Sequence, residues 1–167
     1  MTVDSDGMRW EAAQEGAELL REGATSAAIA ELETVLGVDA DNPYALYFLG
    51  SAYFEDGDFD RALKAYVLAL EAAPDYLGAM VGAAHSLRMM GRLAQALRMG
   101  QQVLARSPDD ADGLYVLGLV HYARGEEEKA LGYLERFLET GPEIEVAQEV
   151  RGLVTILRGQ DQQEEAD

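Results

Sequence analysis

The 167-residue sequence contains no cysteine, which excludes disulfides, thiolate metal sites, iron–sulfur clusters and cysteine nucleophiles. Basic residues are scarce too. Thirteen Lys and Arg stand against 31 Asp and Glu, and the formal net charge is −18. Phosphate backbones and anionic lipid surfaces both require a basic patch, so neither a nucleic acid nor a membrane is an expected partner.

Long apolar runs are also absent. The longest nearly apolar stretch, residues 45–54, is far shorter than the roughly 20 residues that a membrane-spanning helix needs. The first seven residues, MTVDSDG, carry two aspartates where a signal peptide carries basic charge. The sequence therefore predicts a cytoplasmic protein.

An internal repeat organises the chain, because four series of residues recur at intervals of 34 positions. The series are Gly23, Gly57, Gly91 and Gly125; Ala28, Ala62, Ala96 and Ala130; Leu36, Leu70, Leu104 and Leu138; and Pro74, Pro108 and Pro142. They define four repeats, 9–42, 43–76, 77–110 and 111–144. Residues 1–8 are predicted to be a disordered N-terminus.

Each repeat has the pattern of a helical hairpin. In the second repeat, Leu46, Leu49 and Tyr53 share one helical face, Gly57 interrupts the run, and a second apolar periodicity follows. After the repeats, one more amphipathic segment, residues 143–158, carries the stripe Val146, Val150, Leu153 and Leu157 and is predicted to be a capping helix. The polar residues 159–167 are predicted to be a disordered acidic tail.

These repeats resemble the tetratricopeptide repeat family. The second repeat carries the residues typical of that family, namely Leu49, Gly50, Tyr53, Ala62, Tyr66, Ala69 and Pro74. The resemblance implies an all-α solenoid, in which helical hairpins stack into a right-handed superhelix. It also implies a non-enzymatic module for protein–protein interaction.

The sequence shows no catalytic or cofactor-binding motif. It lacks the nucleophile elbow, the phosphate-binding loop and the dinucleotide fingerprint, and its two acidic runs, at 39–43 and 55–60, lack the Gly and Glu positions of a calcium loop. Neither histidine has a partner residue at metal-ligand spacing, and His121 is predicted to lie in the core. The run Glu126, Glu127 and Glu128 is predicted to open a helix. No cofactor or metal is expected.

A candidate binding surface follows from the first helix of each repeat, whose positions 2, 5, 9 and 12 form a stripe separate from the core stripe. In the family this stripe lines a concave groove. Six of its sixteen residues are aromatic, whereas a composition of 8% aromatics predicts about one. The candidate groove residues are Trp10, Tyr44, Tyr47, Ser51, Phe54, Val81, His85, Arg88, Tyr115, Leu119 and Tyr122.

Within this groove, Tyr47 and Phe54 are expected to face Tyr115 and Tyr122, with His85 and Arg88 as polar contacts between them. The alternative is that positions 2 and 5 pack against the neighbouring repeat and that Trp10 seals the first one. The groove residues of chaperone-tail clamps are not matched, since Ala13 and Ala17 replace their Lys and Asn.

The leading functional hypothesis is a scaffold or adaptor that binds a basic or apolar peptide or helix of a protein partner. One alternative is a cytosolic chaperone similar to those of type III secretion, which hold apolar translocator segments. Another is a self-assembling repeat protein whose groove holds a second copy. An enzyme would need a convergent polar site, and the sequence shows none.

Overall fold

The structure, a computed structural model, describes residues 4–164, and all regular structure in that range is α-helical. The helices are α1 (Ser5–Arg21), α2 (Thr25–Val38), α3 (Pro43–Glu55), α4 (Phe59–Ala72), α5 (Leu77–Met89), α6 (Leu93–Arg106), α7 (Ala111–Ala123), α8 (Glu127–Glu139) and α9 (Ile144–Glu164). The predicted all-α helical-repeat fold is therefore confirmed. Each of the four predicted repeats contributes two helices.

The predicted turn glycines follow the first helix of each repeat. Gly57, for example, has φ of 79°, a left-handed conformation that costs a residue with a Cβ atom much more than glycine. Its equivalents in the other repeats share that conformation, with φ between 72° and 78°: they are Gly23, Gly91 and Gly125. The 34-residue glycine period thus reflects one backbone requirement repeated four times.

Side-chain caps begin several helices. Asn42 accepts hydrogen bonds from the amides of Tyr44 and Ala45 at the start of α3, where Pro43 occupies the first turn. Asp110 accepts from the amide of Gly113 at the start of α7. These polar residues satisfy amides that have no partner within the helix.

Small residues let the helices within a repeat approach closely. A Cβ atom on Gly50 would lie 2.8 Å from the Tyr66 ring, and one on Gly118 would lie 2.6 Å from Leu134 Cδ2. Ala62 and Ala130, at the facing positions of the second helices, are fully buried. Larger side chains at these positions would therefore overpack the interface between the two helices of a repeat.

The chain divides into two compact units, Met1–Gly91 and Arg92–Asp167, called here the N-terminal and C-terminal units. The N-terminal unit contains α1 to α5, and the C-terminal unit contains α6 to α9. In the N-terminal unit, α3 packs against both α1 and α4, and α4 packs against α5. In the C-terminal unit, α7 packs against α6 and α8, and α8 packs against α9.

Helix α9 covers α8 at the C-terminal end. Its Val150, Val154 and Leu157 are buried together with Leu134 and Phe137 of α8. The predicted stripe needs one correction: Ala147 and Val154 are buried, whereas Val146 and Leu153 only border the cluster.

The structure also corrects the predicted chain ends. Helix α1 begins at Ser5, capped by Asp4, so residues 5–8 are helical. Helix α9 continues to Glu164, and residues 159–164 are therefore helical. They extend a helix that the preceding residues have already formed. The remaining residues of both predicted disordered segments, 1–3 and 165–167, lie outside the described part of the chain.

Candidate functional site

The N-terminal unit contains a cleft of about 380 Å³ between α1 and α3, called here the aromatic cleft. Residues from the predicted groove stripe form most of its walls. Its lining residues are Trp10, Gln14, Ala17, Leu20 and Arg21 of α1 and Tyr47, Phe48, Ser51 and Glu55 of α3. The structure therefore brings together three of the predicted site residues, Trp10, Tyr47 and Ser51, around one concave space.

A continuous series of aromatic rings forms one side of this cleft. Trp10 meets Tyr44 edge to face with ring centroids 5.3 Å apart, and it meets Phe48 at 5.9 Å. Phe48 in turn contacts Tyr47 at 5.1 Å, and Tyr47 contacts Tyr76 at 5.0 Å. Each of these contacts is favourable, and together they fix the positions of the rings. The aromatic side of the cleft is therefore preorganised.

The sequence analysis did not identify Phe48 and Tyr76, which do not belong to the predicted stripe. Phe48 lies one position beyond Tyr47, and Tyr76 precedes α5 in the connection between repeats. The sequence carries one signal for Tyr76, namely a glycine at position 78, which leaves room for neighbouring rings. Gly78 occupies a groove position, and a Cβ atom there would lie 3.1 Å from the Tyr47 ring and 3.3 Å from the Tyr76 ring.

Hydrogen bonds hold two of the tyrosine hydroxyls. The Tyr44 hydroxyl donates to the Asp6 carboxylate at 2.8 Å, and this bond is the main cause that raises the Tyr44 pKa above its usual value. The Tyr66 hydroxyl lies 3.1 Å from the Ser51 hydroxyl. Burial raises the pKa of Tyr66, so the ring stays neutral.

Val81, Phe54, His85 and Arg88 lie further along the N-terminal unit, outside the residues that line the aromatic cleft, and all four are half-buried. The Phe54 and His85 rings are 6.3 Å apart. Burial lowers the pKa of His85 to about 4, and the charge of Arg88 acts in the same direction. His85 is therefore a neutral side chain near pH 7.

The remaining predicted residues belong to the C-terminal unit. Tyr115 and Leu119 are half-buried, and the Tyr115 ring packs on Phe137 with centroids 4.9 Å apart. Tyr122 is exposed, with 45% of its surface accessible. That these residues face Tyr47 and Phe54 across a common groove stays a prediction.

The second histidine, His121, is buried, as predicted, but it has a partner that the sequence analysis missed. Its Nδ1 atom forms a hydrogen bond with Glu126, and its ring stacks on Tyr133 with centroids 5.3 Å apart. Among the side chains that the structure describes, those of residues 4–159, no group of three His, Asp or Glu is arranged to hold a metal ion. No helix within residues 4–164 is both long and apolar enough to cross a bilayer.

Comparison with known families gives two matches of the same kind. Residues 19–86 match one family model and residues 81–143 match another, and both models describe a tetratricopeptide repeat. Together they cover most of the four repeats.

Individual proteins similar to this chain come from diverse organisms. Superkiller complex protein 3 of Mus musculus is 28% identical in an alignment of 145 residues that covers 78% of this chain and 9% of that protein. The chain thus spans less than a tenth of this curated relative. A structure of MamA from Desulfovibrio magneticus RS-1 is 22% identical, with a TM-score of 0.68, and the match covers 96% of this chain and 98% of that one. A structure of PilF from Pseudomonas aeruginosa has a TM-score of 0.81 at 19% identity, over 95% of this chain and 71% of that one.

Proposed function

The chain belongs to the tetratricopeptide repeat family, and from that premise we propose that it is a protein–protein interaction scaffold that binds a peptide segment of its partner in the aromatic cleft. Repeat proteins of this kind are generally non-enzymatic interaction modules. The proposal adds a location and a ligand chemistry to that general function.

The observation that carries the proposal is the position of Trp10. This residue is the single tryptophan of the chain and lines the cleft, yet 45% of its surface remains accessible. Exposed large aromatic side chains are costly to leave in water, and tryptophan is enriched among residues that dominate binding energy.

The cleft also has the polarity that a peptide site requires. Its walls are apolar and aromatic, while Gln14, Arg21, Ser51 and Glu55 bring polar groups to its edges. An apolar side chain of a peptide can enter the space that Trp10, Ala17 and Leu20 line, and the edge residues can hydrogen-bond to the peptide backbone. The ligand expected is a segment with one or two large apolar side chains.

The alternative explanation, packing between repeats, applies to part of the aromatic series. Tyr47 fills the space above Gly78, and Tyr66 fills the space above Gly82. These two rings are therefore needed for the fold itself. Trp10, Ala17 and Leu20 of α1 fill no such space, because none of them is the nearest side chain to a glycine among the described residues. We assign these three residues to the binding part of the cleft.

The experiment is a selection of peptide ligands from a random library displayed on phage, followed by calorimetry with the selected peptides. The test variant is Ala17→Arg, which places a long charged side chain in the cleft. Ala30→Arg on the exposed face of α2 is the matched control. The proposal predicts that Ala17→Arg weakens binding at least about tenfold, whereas Ala30→Arg leaves it unchanged.

Selected peptides that bind both variants equally would place the site elsewhere and contradict the proposal. Concentration-dependent self-association that Ala17→Arg abolishes would instead favour the alternative in which the cleft holds a second copy. Peptides consisting of long apolar helices would favour the chaperone alternative, which requires the same cleft.

A further inference from the structure

A second cleft lies in the C-terminal unit, away from the predicted groove stripe, and its chemistry differs from that of the aromatic cleft. It encloses about 470 Å³ between residues of α6, α7 and α8 and is called here the basic cleft. Its lining residues are Gln101, His121, Lys129, Gly132, Tyr133 and Arg136. Among the described residues no acidic side chain lines it, although the whole chain has a net charge of −18.

Helix α8 supplies most of the positive charge. Lys129, Tyr133 and Arg136 follow one another at intervals of four and three residues, so they lie along one face of the helix. The Lys129 side chain is 67% exposed, and its ammonium lies 4.0 Å from a Glu126 oxygen, a contact too long for a hydrogen bond. It is therefore available to a ligand.

The Arg136 guanidinium is only partly used by the protein. Its Nη2 atom donates to the Pro108 carbonyl at 3.0 Å and approaches Asp109 at 3.4 Å. Within the described part of the chain, its Nε and Nη1 atoms have no hydrogen-bond partner. The Pro108 contact anchors the side chain and leaves donors that fit the oxygen atoms of an oxyanion.

His121 forms a fixed wall of the same cleft. Glu126 holds Nδ1, and the Tyr133 ring stacks flat against the imidazole with an interplanar angle of 4°. The remaining ring nitrogen, Nε2, has no hydrogen-bond partner among the side chains of residues 4–159. Glu126 itself is engaged by Arg124 and His121, which hold the pKa of this carboxyl well below its usual range. Arg124 and His121 thus hydrogen-bond to the Glu126 carboxylate, whereas Lys129 interacts with it only through its charge at 4.0 Å.

Gly132 keeps the cleft open. A Cβ atom built there would meet nothing within 4 Å, so packing does not explain this glycine in the middle of a helix. Glycine lowers the stability of a helix interior relative to alanine. Because residue 132 has no side chain, the floor of the cleft between Lys129 and Arg136 stays open.

From these observations we propose that the basic cleft binds a phosphate group. The ammonium of Lys129, the unused donors of Arg136 and the Gln101 amide surround the space, and the stacked His121 and Tyr133 rings form its rigid wall. A phosphate presents several oxygen acceptors and nearly two negative charges near pH 7, which matches donors of this number and sign. At physiological salt, charges beyond about 8 Å are largely screened, so the acidic surface outside the immediate neighbours Glu126 and Asp109 opposes an anion only weakly.

The experiment is a titration of ¹⁵N-labelled protein with inorganic phosphate at constant ionic strength, followed by amide chemical shifts. One test variant combines Lys129→Gln with Arg136→Gln and removes both cations. The other is Gly132→Leu, which adds a side chain at the cleft floor where a Cβ atom meets nothing within 4 Å. Lys64→Gln is the matched control, because Lys64 is the other lysine of the chain and pairs with Asp60 on α4. A second arm compares a phosphoserine peptide with its unphosphorylated form.

The proposal predicts saturable shifts at Lys129, Gly132 and Tyr133, an affinity at least about tenfold weaker in both test variants, and no change in Lys64→Gln. Thermal melting should show that Gly132→Leu is not less stable than the native protein, so that loss of binding is not loss of fold. If the phosphoserine peptide binds more tightly than inorganic phosphate and its unphosphorylated form does not bind, a protein is the source of the phosphate. If the phosphoserine peptide binds no more tightly than inorganic phosphate, the source is a small phosphate compound. Shifts that chloride reproduces, or that persist in both test variants, would overturn the proposal.

Discussion

The backbone of Gly82 touches the ring of Tyr66, because a Cβ atom on residue 82 would lie 2.3 Å from Tyr66 Cζ. The two residues belong to α5 and α4 of successive repeats. Tyr66 also closes on Gly50 within its own repeat, where a Cβ atom would lie 2.8 Å from the ring. One tyrosine thus occupies the space left by two glycines and joins three helices.

Substitution of Gly82 should therefore be costly. Gly82→Ala is expected to lower the free energy of unfolding by about 1–3 kcal/mol, because the Tyr66 ring must shift to admit a methyl group. Gly37→Ala on α2 is the control, since a Cβ atom there meets nothing within 4 Å. Urea denaturation of both variants provides the measurement. Equal stabilities would show that the close contact does not exist.

Asn42 should tolerate aspartate poorly, although the two residues are about equal as ordinary helix caps. The buried Asn42 accepts two amide hydrogen bonds with Oδ1 and donates Nδ2 to the Arg9 carbonyl at 3.0 Å. Asn42→Asp keeps the acceptor and removes the donor, with an expected loss of roughly 1–3 kcal/mol in the free energy of unfolding. In the control Asp110→Asn, the cap residue only accepts, from Gly113, and a change below about 0.5 kcal/mol is expected. Similar losses in both variants would contradict the role of the Arg9 contact.

His85 should make stability decrease in mild acid. Its pKa is 6.5 in the unfolded chain and about 4 in the native protein. Above pH 6.5 the imidazole is neutral in both states. As the pH falls from 6.5 to about 4, the unfolded chain binds a proton that the native protein does not, so the native state loses stability.

Between pH 7 and pH 5 this loss amounts to about 2 kcal/mol. His85→Gln should remove that part of the pH dependence, and the difference between native and variant proteins in urea denaturation at the two pH values measures it. The other titratable groups are the same in both proteins, so their contributions cancel in this difference. The same pH dependence in the two proteins would show that His85 is not held neutral.

Helix α9 should contribute to stability through one face only. Leu157 is fully buried in the cluster with Leu134 and Phe137, whereas the adjacent Ile156 is 58% exposed. Leu157→Ala is expected to cost about 2–5 kcal/mol, and Ile156→Ala less than about 0.5 kcal/mol. Thermal or chemical unfolding of the two variants measures both free-energy changes. A small effect of Leu157→Ala would mean that α9 is not a structural cap.

The sequence predicts the helical repeats well because their rules are local. A glycine with positive φ and small residues at the contact positions recur every 34 residues, and both requirements are visible without the structure. The end of α9 is less predictable, since the polar residues 159–164 extend a helix whose stability comes from Val150 and Leu157.

The site is predictable only in part, for a related reason. Trp10, Tyr47 and Ser51 follow from the periodicity of α1 and α3, whereas Phe48 and Tyr76 reach the aromatic series from other positions. The pairing of His121 with Glu126 connects the end of α7 to the start of α8, and the basic cleft depends on it. Such contacts arise from tertiary packing, which no single-helix pattern contains.

The most direct test of the binding proposal uses Trp10 as its own reporter, because no other tryptophan contributes to the fluorescence. A peptide selected for binding is titrated into the native protein while the Trp10 emission and its quenching by acrylamide are followed. The account predicts that the Trp10 emission shifts to shorter wavelength and that its acrylamide quenching constant falls as peptide is added. Both changes should saturate at the peptide concentrations at which binding saturates in calorimetry. Saturable binding by calorimetry with no change in the emission or quenching of Trp10 would contradict it.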